Sequence, residues 1–271
     1  MGKTILNKPS QPVVLTISGH DPSGGAGIQA DIESIFSQGC QPCSIITALT
    51  VQDSCDIKSV IPQPAKIVSE QLKILMADIK PTVIKIGLIG SLEIVNVIHE
   101  QLEGCGIPII FDPVLASGGG TELSNQSLIE SIQTKLLPIS TLITPNSIEA
   151  KRLTPDLDDL DDLDECGIKL LEMGCEQVLI TGAHEESKTV DNRLYQQGKL
   201  LETFSWNRLP HSYHGSGCTL ASTIAALLAQ GLPIFAAINE AQEFTWQSLD
   251  NGFRPGKGQY FPNRFFWAAN D

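Results

Sequence analysis

Short apolar runs rich in β-branched residues recur along the chain: VVLTIS from Val13 to Ser18, SIITAL from Ser44 to Leu49, VIKI from Val83 to Ile86, PIIF from Pro108 to Phe111, LIT from Leu142 to Thr144 and VLIT from Val178 to Thr181. Each is too short for a helix and fits a strand covered on both faces. Between most of them apolar residues fall at helical spacing, as with Ile28, Ile32 and Ile35 in the stretch from Ile28 to Gln38. This alternation predicts an α/β fold with a mostly parallel sheet, because parallel neighbours need a crossover that a helix supplies. Near the end, Arg193 to Tyr195 and Leu200 to Leu209 flank Gly198 and predict a hairpin on an antiparallel edge.

Ligands of such sheets sit beyond the strand C-terminal ends. The residues after each run therefore become the candidates: Gly19 to Gly27, Thr50 to Asp53, Gly87 to Ile89, Asp112 to Gly120, Pro145 to Glu149 and Gly182 to His184. A separate signal is His214-Gly215-Ser216-Gly217-Cys218-Thr219, which runs into an apolar helix from Leu220 to Gln230. Glycines let backbone N–H groups converge, and a helix start adds positive potential, so this is an anion hole in sequence form. Cys218 in the first turn is expected to have a lowered pKa and to act as base or nucleophile. The plainer reading is a glycine-capped helix with a buried thiol.

The loop from Gly19 to Gly27 implies close backbone approach to a ligand or several tight turns. Gly25 to Ala30 also fits a dinucleotide fingerprint, with Asp53 after the second strand, but its glycines come too late after the first strand. The P-loop pattern G-x-x-x-x-G-K-[ST] is absent. In Ile143-Thr144-Pro145-Asn146-Ser147-Ile148-Glu149, Asn146 can cap a helix, while Glu149 and Asp112 can share a Mg²⁺ ion through its waters.

Charge and composition narrow the partners. A formal net charge of -13 disfavours nucleic acid and anionic membranes, so any phosphate must be held locally, by helix termini or a metal ion. No stretch approaches a membrane span, and the first residues lack a signal-peptide pattern, so a soluble, unprocessed protein is expected. The 271 residues, without a linker-like segment, suggest one domain spanning 1–271. Seven cysteines spread from Cys40 to Cys218 imply a reducing, cytoplasmic setting; Cys40 and Cys43 read as structural thiols just past a helix end at Gly39. The acidic run from Asp156 to Glu165 lacks the ligand spacing of a Ca²⁺ loop and reads as a solvated approach to a helix from Gly167 to Met173.

Taken in order, SGHDPSGGAGIQADIES, SIITALTVQDS, KIGLIGS, FDPVLASGGG, LITPNSIEA and HGSGCTLASTIAALLAQGL resemble the hydroxymethylpyrimidine/phosphomethylpyrimidine kinases, a branch of the ribokinase-like superfamily close to pyridoxal kinases. The resemblance runs from Val13 to about Phe266. It implies a ribokinase-like three-layer sandwich and transfer of the ATP γ-phosphoryl group to an aminopyrimidine hydroxymethyl group, then to the resulting monophosphate, for thiamine biosynthesis. By motif position it implies that Gly19, Ala26, Asp31, Gln52, Leu88 and Val114 form the aminopyrimidine site. It assigns the phosphoryl hole to Gly215, Ser216 and Gly217 and the base position to Cys218. ATP would meet Asn146, Thr181 and Gly182, and Mg²⁺ would be organised by Asp112 and Glu149 with Asn146. Homodimers are usual among such relatives, and the edge hairpin offers a surface.

The chain departs from the family pattern in four places. Ala116-Ser117-Gly118-Gly119 stands where an AKSG-like segment is common, and Thr181-Gly182-Ala183-His184 where a KGGH-like one is, so two lysines expected near ATP phosphates are missing. His20 replaces a serine, and Ser216 a threonine. Alternatives are a kinase for another vitamin-like acceptor such as pyridoxal, or a non-enzymatic aminopyrimidine-binding protein.

Overall fold

The computed structural model describes residues 11–116, 124–157, 162–185 and 187–268. Residues 117–119 of the expected phosphate segment and residues 158–161 of the acidic run lie outside them. The strands are β1 (Val13–His20), β2 (Gln41–Gln52), β3 (Ile57–Pro62), β4 (Val83–Ile86), β5 (Ile109–Phe111), β6 (Leu142–Ile143), β7 (Gln177–Ile180), β8 (Thr189–Gln196) and β9 (Lys199–Asn207). They form one sheet in the order β3-β2-β1-β4-β5-β6-β7-β8-β9. From β2 through β7 neighbours run parallel, whereas β3, β8 and β9 are antiparallel additions at the two edges. The hairpin around Gly198 forms the expected edge. The other edge strand, β3, carries no clear apolar pattern: IKSVIP is broken by Lys58 and Ser59, is mostly exposed and ends in proline, which suits an edge.

The helices are α1 (Gly27–Ser37), α2 (Ala65–Asp78), α3 (Leu92–Leu102), α4 (Gln126–Ser131), α5 (Ser147–Leu153), α6 (Leu163–Glu172), α7 (Ser216–Ala229) and α8 (Ile234–Asp250). Two apolar cores separate the layers. One joins the sheet to α2 through α6 by residues such as Leu15, Ile45, Leu72 and Ile98, and the other joins it to α1, α7 and α8 by Val14, Ile35, Ile110 and Ile224. Alternate residues of central strands such as β1 and β5 thus face opposite cores, and each fully buried aliphatic side chain stabilises the fold by about 1.5–3 kcal/mol. Cys40 and Cys43 pack into different cores, which fits structural thiols, and all seven cysteines are free.

Two local boundaries have clear causes. Gly39 adopts φ +75 beyond the end of α1, as expected of a glycine that turns the chain toward β2. In the acidic run, Asp162 caps α6 by accepting from the amides of Asp164 and Glu165. The helix therefore starts at Leu163, four residues before the expected Gly167, and Asp164 turns inward to accept from Arg193 and the Tyr195 hydroxyl at 3.1 and 2.6 Å.

Candidate active site

The strand order reverses beside β1, with β2 on one flank and β4 on the other, so a crevice opens at the C-terminal ends of these strands. A cavity of about 590 Å³ lies there and extends past β5 and β6 to the β8–β9 hairpin and α8. That volume suits a small ligand or cofactor.

The acceptor end is built from backbone proximity. Gly19, near the end of β1, comes so close to Leu88 that a Cβ at residue 19 would lie 2.8 Å from Leu88 Cδ2. Gly27 takes φ +59 with its α-carbon against the Gly19 carbonyl, which lets α1 start at once. Ala26, Leu88 and Val114 line this end with Gln52 from the last position of β2. The Gln52 carbonyl oxygen is buried and has no hydrogen-bond partner.

Gly215 begins α7 with φ +84, and no side chain caps that helix. Gly215, Ser216, Gly217 and Cys218 all face the cavity, leaving the first-turn amides toward it. Gly217 also faces Asp112: a Cβ there would lie 3.8 Å from Asp112 Oδ1. Cys218 departs from expectation. Burial pushes its thiol up to about 12 despite the nearby Lys85 charge, with Asp112 and Asp31 adding to the rise. Its position at a helix start does not outweigh the removal of water and two carboxylates.

Asp112 and Glu149 are buried, at 4 % and 6 % exposure. Asp112 is raised to about 6 by burial, against the Lys85 charge. Glu149 is raised to about 8 by burial and by Asp112, although the Asn146 and Leu115 amides donate to its oxygens at 2.9 and 3.3 Å. Asn146 reciprocates by accepting from the Glu149 amide at 2.9 Å, a full capping box. Asn146 thus fulfils its cap role while also lining the cavity. Both carboxyls stay raised although Lys85 acts on Asp112 and Arg152 on Glu149, a setting that fits a divalent cation. Among the described residues no cluster of three or more metal-ligating side chains occurs, so the donor set suits an ion that keeps waters or takes phosphate oxygens.

Thr181 reaches the cavity beside Asn146, with which it forms an isolated bridge. Two other expected positions do not. Gly182 lies behind the wall, its amide donating to Asn192 Oδ1 at 3.1 Å, where a Cβ would collide with the Asp191 carbonyl. Asp31 is fully buried beneath the cavity floor: it accepts from Lys85 at 2.8 Å and from the Thr16 and Ser222 hydroxyls, each at 2.6 Å. With both oxygens so engaged and no exposure, Asp31 cannot meet a ligand edge. The resemblance located the position, but α1 turns that side chain inward.

The structure adds residues that the sequence left unassigned. Asp21, His214, Trp206, Trp246 and Arg208 all line the cavity. Arg208 is the one lysine or arginine among the described lining residues, and it donates to the carbonyls of Ala183, Glu185 and Ser187 at 2.7–2.8 Å, so it shapes the loop after β7. Asp53, of the weak dinucleotide fingerprint, instead organises an exposed turn by accepting from the Cys55 and Asp56 amides.

The phosphomethylpyrimidine kinase family pattern matches residues 21–263. The hydroxymethylpyrimidine/phosphomethylpyrimidine kinase of Streptomyces coelicolor is 36 % identical over 249 residues, covering 91 % of this chain and 92 % of that protein. Among solved structures, phosphomethylpyrimidine kinase from Clostridium difficile superposes with TM-score 0.76 at 31 % identity, covering 88 % of this chain and 100 % of that one. Pyridoxal kinase from Staphylococcus aureus, in complex with AMP-PCP and pyridoxal, gives TM-score 0.85 at 26 % identity, covering 97 % of each chain. The layered fold is therefore ribokinase-like, and the chain belongs to the phosphomethylpyrimidine kinase family.

Proposed function

We propose that the protein uses ATP to phosphorylate 4-amino-5-hydroxymethyl-2-methylpyrimidine and then its monophosphate, supplying the diphosphate for thiamine biosynthesis. One observation carries this reading most: the uncapped start of α7, two cation-seeking carboxylates and an unpartnered Gln52 oxygen converge on one cavity. Phosphoryl transfer asks for positioning and charge stabilisation, and those elements supply both.

Gln52 reads the heteroaromatic edge, while Gly19, Ala26, Leu88 and Val114 shape the pocket around the ring. The amides of Gly215, Ser216 and Gly217 hold the transferring group. Cys218, beside them, takes the proton of the attacking hydroxyl, which requires bound substrate to relieve the thiol's ligand-free rise toward about 12. Asn146 and Thr181 meet the nucleotide, whose base lies toward Trp206 and Trp246. Asp112 and Glu149 hold Mg²⁺, which when bound neutralises charge on the phosphates. Fixed amides and this ion stand in for the two lysines that the family pattern carries.

The working unit is a single cytoplasmic domain, in keeping with one continuous sheet and free thiols. No helix among the described residues is long and apolar enough to cross a membrane, and the charge of -13 disfavours nucleic acid. A homodimer belongs to the same reading: Leu49, Val51 and Ile61 are 41–50 % exposed on one face of the β2–β3 edge, a more continuous apolar surface than the expected hairpin offers.

ADP release measured against the hydroxymethylpyrimidine, its monophosphate, pyridoxal and ribose tests the assignment. Turnover of both pyrimidines is expected. Turnover of pyridoxal alone would transfer the assignment to that vitamin, and pyrimidine binding with no turnover of any acceptor would make the protein a binder.

A further inference from the structure

Asp21 sits at the seam between two glycine loops, one leaving β1 and the other entering α7. Its side chain is 3 % exposed. Oδ1 accepts from the Ser23 amide and hydroxyl at 2.8 and 2.7 Å, while Oδ2 accepts from the Ala26 amide at 2.8 Å and lies 2.8 Å from His214 Nε2. Burial works to raise its pKa, but the hydrogen bonds with His214 and Ser23 hold it well below the ordinary carboxylate range. One carboxylate thus touches the acceptor loop and the residue just before Gly215.

The two loops leave each other no slack. A Cβ on Gly25 would collide with His214 Cδ2, and one on Gly215 with the Gly25 carbonyl oxygen. Arg264, 2 % exposed, ties the same seam from below, donating to Gly25 O at 2.5 Å and Thr219 Oγ1 at 3.0 Å and pairing with Glu33 at 3.0 Å. The acceptor loop cannot shift against the start of α7 without breaking a buried hydrogen bond from one side or the other, and such a bond is costly to leave unmade.

We infer that Asp21 is a positioning residue that couples acceptor binding to the phosphoryl-binding loop through its contact with His214. The inference rests on the acceptor and phosphoryl sites proposed above. A ring seated against Gln52, Gly19 and Ala26 fixes the Asp21 side of the contact. A phosphoryl group on the α7 amides fixes the His214 side. Because the interlocked loops move as one body, seating of either ligand sets the position of both, so the second binds more tightly, and by linkage the effect is reciprocal.

Calorimetric titration of the hydroxymethylpyrimidine into the protein, with and without a non-transferable ATP analogue and Mg²⁺, reads the coupling directly. In wild type the analogue is expected to tighten pyrimidine binding about five-fold or more. In Asp21→Asn, and in His214→Phe, which keeps the ring contact with Phe261 but has no nitrogen for Asp21 should Asp21→Asn fold poorly, each ligand alone still binds and the enhancement falls below about two-fold. An unchanged enhancement in a folded His214→Phe protein, or none in wild type that binds both ligands, overturns the coupling. Wild type that binds the nucleotide but no pyrimidine overturns the acceptor assignment itself, and the coupling with it.

Discussion

Lys85 donates to Asp31 at 2.8 Å in an ion pair with neither side chain exposed. Ser222, one turn beyond Cys218 on that helix, donates to the same Asp31 oxygen at 2.6 Å. Gly87 has no side chain because Ser18 Oγ and Lys85 Nζ fill the space a Cβ would occupy. The pair therefore ties β4 and α1 to α7.

Lys85→Met is expected to destabilise the protein by about 3–5 kcal/mol, since it strands a buried carboxylate. The double variant Lys85→Met with Asp31→Leu should recover much of that loss, because no unpaired charge remains. Urea unfolding of the three proteins checks this. A double variant no more stable than Lys85→Met alone would show that the loss comes from packing.

The Glu149 carboxyl, raised from 4.5 to about 8, sets a pH-dependence of stability in divalent-free solution. A carboxyl raised on folding contributes stability that is intact below its unfolded range and lost as pH rises through the folded value. The window here runs from about 4.5 to about 8. Glu149→Gln cannot ionise, so between pH 5 and pH 9 its stability should improve relative to wild type. Unfolding curves in a chelator check the sign; parallel behaviour across that range would remove Glu149 as a charge-starved group.

Gln52→Leu should lower kcat/KM for the hydroxymethylpyrimidine by about 10- to 100-fold, the loss expected when a buried polar recognition contact disappears. Folding should be little changed, because the Gln52 carbonyl oxygen already lacks a protein partner. Unaltered kcat/KM in a folded variant would take Gln52 out of acceptor recognition.

The parallel strands were legible because burial on both faces writes a continuous apolar run, and β1, β4 and β7 follow their runs closely. Strand β3 was not, since an exposed edge needs no such run. The glycine loops at Gly19 to Gly27 and Gly215 to Gly217 announced themselves through backbone chemistry. Side-chain direction was less readable: Asp31 stands in a motif that borders the site, yet its place on α1 turns it to Lys85, a partner 54 residues away. Asp21 lay in the same motif, but its link to His214 spans 193 residues and carries no local pattern. The Cys218 environment was misjudged because a helix start is visible in sequence, whereas the converging Asp112 and Asp31 are not.

Cys218 offers the most discriminating mechanistic test. If it takes the proton from the attacking hydroxyl, Cys218→Ala should lower kcat for the hydroxymethylpyrimidine by about 10²- to 10⁴-fold, the usual contribution of general-base catalysis. The monophosphate differs, because a phosphate monoester has a second pKa of about 6 and its attacking oxygen is already ionised near neutral pH. The second transfer should then be largely spared. Burial that holds the free thiol up to about 12 adds a further expectation: without a shift on substrate binding, few thiolates exist at neutral pH, so the alcohol step should quicken as pH rises while the monophosphate step does not follow it. Cys218→Asp places a more acidic base at the same position and should flatten that rise. Equal losses in both steps for Cys218→Ala, with saturating nucleotide and Mg²⁺, would assign Cys218 to packing or phosphate positioning beside Asp112 and leave the proton to another acceptor.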